Sequence, residues 1–343
     1  MKYIDLENHF FIQDYIDFLR SKKDPPRETV ESDGLTMWYT DELCSPRSFE
    51  MDNKMLDLCE SRIKAMDESG VTMQGLSLSP PGVQCFEPAD AVFWARKVND
   101  ALAEAVRQHP DRYFGIASVP VQSPEEAADE LKRAVTELGL RGAMIESHTR
   151  GEYLDNRKFW PVFETAEKLD VPICFHPEIP SQSILKGYAD DYGFELAGPP
   201  LGFGADLHLH CMRLIYSGLF DRYPGLKIVL GHMGEGLPFW LTRMDAYWTK
   251  PWKGQNPQIA KRPSEYVKAN FVMTFSGMFF MPAFLCAYLA LGADRLAFAV
   301  DYPYEKAEEA IKFISQAPIP DEDKEKICYA NAQKLFKLPQ AAQ

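Results

Sequence analysis

Glu7 and His9 stand two residues apart in Y-I-D-L-E-N-H-F, a spacing that puts both side chains on one side of an extended strand. His176 closes the apolar run V-P-I-C-F-H-P, and Asp301 closes R-L-A-F-A-V-D-Y-P. Two imidazoles and two carboxylates at strand ends can close round one divalent cation, and the pair of negative charges would neutralise it. The set suits Zn2+ or Mn2+ and fits poorly with Ca2+ or a thiolate-seeking metal. Each residue alone has an ordinary reading, a loop cap for a strand-end acid or a satisfied polar group for a histidine. Their occurrence together at strand ends points to a metal centre.

A second group lies in K-I-V-L-G-H-M-G-E-G-L-P-F-W, where His232 and Glu235 are i and i+3 across a strand-to-helix turn. His232 can donate a proton or a hydrogen bond to a substrate oxygen, with Glu235 fixing its tautomer and supporting its charge. The alternative is a glycine-rich turn that its histidine merely caps. Arg243 and Tyr304 are candidates for contacting substrate oxygens, and Arg47 for reaching a carboxylate; for all three a surface or structural role is the alternative. His208 and His210 form another H-x-H, but on a helix i and i+2 do not share a face, so they are read as structural.

These side chains must be carried by strands. Strand-like runs recur at 3–8, 71–79, 114–120, 141–147, 171–177, 227–233, 271–277 and 295–301. Helical patterns fall between them at 52–69, 90–109, 124–138, 156–169, 206–220, 237–248, 282–291 and 305–316. Helix signals include Ser123-Pro124-Glu125-Glu126, with a capping serine, a proline in the first turn and acids at the positive dipole end. Alternating β and α with short buried strands predicts an α/β fold with a parallel sheet. The candidate ligands sit on the first, fifth and eighth runs, which converge only if the sheet closes, so the expected fold is a distorted (β/α)8 TIM barrel. One domain over 1–343 is expected, with insertions at about 11–50 and 178–205 shaping substrate access and an extra C-terminal helix, 321–338, packed on the outside.

The 37 Lys+Arg against 50 Asp+Glu, a formal net charge of -13, argue against nucleic acid or an anionic membrane as partner. Seven cysteines with no CxxC pair fit a reducing compartment, which makes the cytoplasm the expected location. No N-terminal signal is visible, because Asp5 and Glu7 interrupt the early apolar stretch. Residues 271–293 carry no charge, yet Ser276-Gly277 and Pro282 divide them into a strand-like and a helix-like part, as a buried βα unit would be.

Taken together, L-E-N-H-F at 6–10, F-H-P at 175–177, R-L-I-Y-S-G-L-F-D-R-Y-P at 213–224, L-G-H-M-G-E-G-L-P-F at 230–239 and D-Y-P-Y at 301–304 resemble the amidohydrolase superfamily, and within it the metal-dependent decarboxylase branch. The likeness covers nearly the whole chain. It implies metal ligation by Glu7, His9, His176 and Asp301, catalytic assistance by His232 and Glu235, substrate roles for Tyr304 and Arg243, and a homodimer or homotetramer. Hydrolytic members begin with H-x-H, whereas this chain has Glu7-Asn8-His9. A carboxylate in place of an imidazole makes the metal a poorer generator of hydroxide, which favours chemistry without an attacking water. The expected reaction is nonoxidative decarboxylation of an ortho-hydroxy aromatic carboxylate, a carbon-carbon lyase reaction in aromatic compound catabolism, with Asp301 delivering a proton to the ring carbon. Phe279 and Phe280 are consistent with an aromatic pocket. The alternative is a hydrolase of the same fold acting on a lactone, amide or carbon-carbon bond.

Overall fold

The computed structural model describes residues 1–32, 34–248, 250 and 259–339. Strands are numbered in chain order: β1 (Ile4–Phe10), β2 (Arg27–Val30), β3 (Leu35–Trp38), β4 (Cys44–Arg47), β5 (Met73–Leu78), β6 (Tyr113–Gly115), β7 (Ala117–Ser118), β8 (Ala143–Glu146), β9 (Ile173–His176), β10 (Ile228–Leu230), β11 (Phe271–Thr274) and β12 (Leu296–Ala297). Each of the eight expected runs contains a strand. Strands β1, β5, β8, β9 and β11 are buried at every residue, as parallel strands covered on both faces must be.

Parallel pairing runs β1-β5-β6 and β7-β8-β9-β10-β11-β12. Only Ile116 separates β6 from β7, and its N–H donates to the Leu76 carbonyl at 2.9 Å. At the other seam the Leu6 N–H donates to the Phe298 carbonyl at 3.1 Å, and Asn8 bridges Tyr302 in parallel. The ring therefore returns to β1. Between Asp5 and Asn8 the β1–β5 register slips, three steps on β1 facing two on β5, so β1 bulges where Glu7 leaves it.

The ring interior is filled by Ile4, Leu6, Met73, Phe114, Ile116, Met144, Cys174, Val229, Val272, Ala297 and Ala299. The C-terminal helical tail was expected to pack on the outside, and it does so at one end of the barrel: Ala332, Leu335 and Phe336 join this interior cluster, Phe336 lying 4.9 Å from the Phe114 ring, so the tail stoppers the end opposite the strand ends that carry the candidate ligands.

The helix expected over 52–69 is two helices, Phe49–Leu56 and Glu60–Ser69. The Asp57 carboxylate accepts from the N–H groups of Cys59 (2.7 Å) and Ser61 (3.0 Å), starting a new helix. Ser123 makes no side-chain cap bond, although Pro124 and the two glutamates do begin the helix Pro124–Thr136. Residues 271–293 split as anticipated into β11 and the helix Met281–Leu291, and among the described residues no helix is long and apolar enough to cross a membrane.

Both insertions are structured. The first holds the helix Gln13–Ser21 and the antiparallel sheet β2-β3-β4; the second holds helices Gln182–Ala189 and Phe194–Ala197. Leu43 of the first packs with Ile179, Leu185 and Ala197 around the second, and Tyr39 stacks on Phe194 with centroids 5.6 Å apart and planes 8° from parallel.

Candidate metal centre

Glu7 and His9 from β1, His176 from the end of β9 and Asp301 beyond β12 offer four ligand atoms that all lie within 4.8 Å of one another. Two donors on opposite sides of an ion at about 2.2 Å would be separated by roughly 4.4 Å, so one cation accounts for the cluster. His9 Nε2 is 2.9 Å from Asp301 Oδ1, and His176 Nε2 is 3.7 Å from Glu7 Oε1. His176 Nδ1 lies 2.6 Å from the Pro177 carbonyl and 3.2 Å from Glu146 Oε2, so that nitrogen carries the proton and Nε2 turns a lone pair toward the Glu7 carboxylate. In the neutral imidazole two acceptors thus face each other, which calls for a positive charge between them. A proton on Nε2 is one such charge: burial disfavours it, but Glu146 and Glu7 together push the His176 pKa up to about 9, and a divalent ion would meet the same attraction. The donor set fits Mn2+ or Zn2+.

Beside this cluster runs G-H-M-G-E-G. His232, Met233, Gly234, Glu235 and Gly236 have φ of 48°, 57°, 72°, 50° and 80°, a left-handed turn of five consecutive residues. With Asp301 at φ 80°, four of the seven non-glycine residues with positive φ among those described belong to this site, so backbone strain is concentrated where chemistry is expected. Gly234 is required twice over, since a Cβ there would also lie 2.2 Å from Met273 Sδ. The turn brings His232 Nδ1 to 2.7 Å from Glu235 Oε1 and leaves Nε2 3.8 Å from Glu7 Oε1 and 3.9 Å from Asp301 Oδ2. Burial favours neutral imidazole, but Glu235 and Glu7 outweigh it and hold His232 well above its ordinary pKa. Burial likewise opposes ionised Asp301, yet His232 and His9 keep its carboxyl well below the usual range.

Sequence reasoning missed several groups in this assembly. Ser276 is fully buried; its hydroxyl donates to Glu7 Oε2 and stands 3.4 Å from the His232 N–H. Glu146, 2% exposed, closes its strand just as His176 does, so the rule that found the ligands could have found it. Gly231 and Gly277 carry no side chain against Glu7 and Asp301; a Cβ would sit 3.0 Å from Glu7 Oε2 and 3.4 Å from Asp301 Oδ2 respectively.

The remaining candidates are placed less uniformly. Tyr304 stands at the cluster, its ring 5.4 Å from that of His9 and its hydroxyl 3.1 Å from Ser79 Oγ. Arg47 reaches carboxylates of its own chain: it pairs with Asp52, lies 3.5 Å from Glu28 Oε2 and sits over Phe11. Arg20 completes a group of two cations and two anions there, so the charge of Arg47 is already compensated. Arg243 is exposed, its guanidinium 5.0 Å from the Tyr247 ring centre. Phe279 packs into the core against Phe275 and Phe313, whereas Phe280 is exposed.

His208 and His210 are structural, as their helical spacing predicts. His208 Nδ1 bonds the Glu235 carbonyl, and His210 Nε2 accepts the Leu154 N–H at 3.0 Å. Burial, reinforced by His148 and Arg213, lowers the His210 pKa to about 3. Below the unfolded value of about 6.5 the unfolded chain takes up a proton that the folded chain refuses, so this residue costs stability as pH falls. Between pH 7 and 5 the loss is on the order of 2 kcal/mol. Urea unfolding at the two pH values should show it, and His210→Gln, which keeps an acceptor for Leu154, should reduce the difference by about that amount.

A family model for the amidohydrolases matches residues 35–338. The sequence is 41% identical over 298 residues to the γ-resorcylate decarboxylase of Polaromonas sp. (strain JS666), covering 84% of this chain and 90% of that protein. The fold matches the crystal structure of 5-carboxyvanillate decarboxylase from Sphingomonas paucimobilis with a TM-score of 0.89 and 35% identity, over 98% of this chain and 99% of that one. It matches a dihydroxybenzoic acid decarboxylase from Polaromonas sp. JS666, solved with bound manganese and the inhibitor 2-nitroresorcinol, with a TM-score of 0.85 and 36% identity over 99% and 98% of the two chains.

Proposed function

Since the chain belongs to the amidohydrolase family, we infer from that membership and from its site that it is a metal-dependent, nonoxidative decarboxylase of ortho-hydroxy aromatic carboxylates of the hydroxybenzoate type. The observation that carries this reading is the mixed cluster of Glu7, His9, His176 and Asp301 with the His232–Glu235 pair alongside. We assign the four as metal ligands. A divalent ion held by them, Mn2+ or Zn2+, would supply positive charge that attracts the substrate's anionic oxygens.

The remaining work falls to the protein. Asp301 meets the substrate ionised and takes up the proton that the substrate's ortho hydroxyl gives up as it becomes phenolate. Its Oδ1 faces His9, and the absence of a side chain at Gly277 keeps Oδ2 open. Asp301 then gives the proton to the ring carbon bearing the carboxylate. The bond to that carboxylate breaks, its electron pair returns to the ring and carbon dioxide leaves. His232, held cationic by Glu235, donates to a substrate oxygen and steadies the charge that moves through the phenolate. Tyr304 lines the substrate side beside His9. Substrate contact by Arg47 would require loosening its pairs with Asp52 and Glu28, and contact by Arg243 would come from an exposed helix face.

We further propose that residues 1–343 act as one domain in a cytoplasmic homodimer or homotetramer. Seven free cysteines support the location. Exposed Leu209 and Tyr216 on the helix Gly202–Tyr216, with Phe239, Trp240 and Tyr247 on the helix Leu237–Trp248, support self-association. Product analysis tests the reaction: metal-loaded protein with hydroxybenzoates should release carbon dioxide. Oxygen incorporated from labelled water, without carbon dioxide, would establish the hydrolase instead.

A further inference from the structure

Arg62 lies in the first turn of the helix Glu60–Ser69, in the surface-like sequence S-R-I-K-A-M-D, yet it is the largest fully buried side chain among those described, with 0% exposure. A guanidinium stays charged at any ordinary pH and is costly to bury unless its donors are used. Its Nη2 donates to the His9 carbonyl at 2.6 Å and to the Lys54 carbonyl at 3.1 Å, and its Nε to the Asp57 carbonyl at 3.1 Å. Its Cζ rests 4.7 Å from the centre of the Tyr302 ring. Arg62 thus touches the main chain of one proposed ligand and the immediate neighbour of another.

Those two neighbours are also tied to each other. The His9 N–H donates to the Tyr302 carbonyl at 2.8 Å, and the Glu7 carbonyl accepts from the N–H groups of Asp301 (3.1 Å) and Tyr302 (3.3 Å). Asp301 is held at φ 80°, a conformation an aspartate leaves unless its surroundings impose it. Beneath this knot nothing but Arg62 combines a charged grip on the His9 carbonyl with a cation–π contact to Tyr302 among the described residues.

We propose that Arg62 is a positioning residue of the metal centre, fixing His9 through its main-chain carbonyl and Asp301 through the ring of Tyr302. The inference rests on the assignment of these residues as ligands. Removing an outer group that orients metal ligands typically weakens metal binding ten- to hundredfold, whereas a purely structural buried arginine would lower stability without changing the affinity of the folded protein.

Mn2+ titration followed by the electron paramagnetic resonance of the free ion separates these roles, with thermal melting of the metal-free chain alongside. Arg62→Met should bind Mn2+ ten- to hundredfold more weakly than wild type. Arg62→Lys, which keeps the cation but not the fork of donors, should fall between. Asn99→Ala provides the control, since Asn99 is fully buried and bonds Ser118 and Glu130 away from the site; it should melt lower and bind Mn2+ unchanged. Wild-type affinity in folded Arg62→Met overturns the proposal, as does equal weakening by Asn99→Ala. Should Arg62→Met not fold, wild-type affinity in Arg62→Lys overturns it. A wild-type chain that takes up neither Mn2+ nor Zn2+ would instead remove the metal assignment itself.

Discussion

Asp301→Asn should leave a folded, metal-loaded protein that releases carbon dioxide on the order of a thousandfold more slowly than wild type, within the range expected for loss of a general acid. Asparagine matches aspartate in size and still offers an oxygen to the ion, but it can neither take up a proton nor deliver one to a ring carbon. The effect should fall on kcat with little change in KM, because the lost interaction is made in the transition state. The measurement is carbon dioxide release paired with metal content. A variant that holds a full complement of metal and keeps a tenth or more of the activity would remove Asp301 from the acid's role. A variant that has lost its metal would show that ligation, rather than proton transfer, had been tested, and saturating Mn2+ in the assay resolves that case.

The second large effect is expected from chelation. Stripping the ion should abolish turnover, and adding Mn2+ should restore it. It should also destabilise the fold, because Glu7, His9, His176 and Asp301 bring two carboxylates and two imidazoles together with little water to screen them. An ion present at a hundred times its dissociation constant contributes about 2.7 kcal/mol to the folded state. Thermal melts with chelator and with excess Mn2+ should therefore differ clearly. Identical melts and full activity at less than one-tenth metal per chain would end the metallo-enzyme reading.

The clustering of Glu7, His9, His176 and Asp301 was legible because Glu7 and His9 share one side of the first strand, His176 and Asp301 each end a short apolar run, and strand ends converge whenever a parallel sheet closes. The same logic anticipated the eight strands and the division of 271–293. What escaped the sequence depends on contacts between distant segments. Arg47 reads as a free cation until β2 and the helix Phe49–Leu56 bring Glu28 and Asp52 to it. Arg62 reads as a solvent-facing helix residue until β1 presents the carbonyl of His9. The break at Asp57 turns on one side chain bonding its own backbone, a local competition that helix periodicity does not register. The tail's position over the barrel mouth depends on which apolar surface is left uncovered once the ring has formed, and no local pattern encodes that.

The seam that joins β1 to the chain beyond β12 has a bearing on how the protein is made. His9 meets Asp301 across 292 positions of sequence. Glu7 and His9 are therefore made long before Asp301, and a chain cut anywhere between the two presents at most three of the four proposed ligands. An ion that needs all four would stabilise only molecules that carry both sides of the seam.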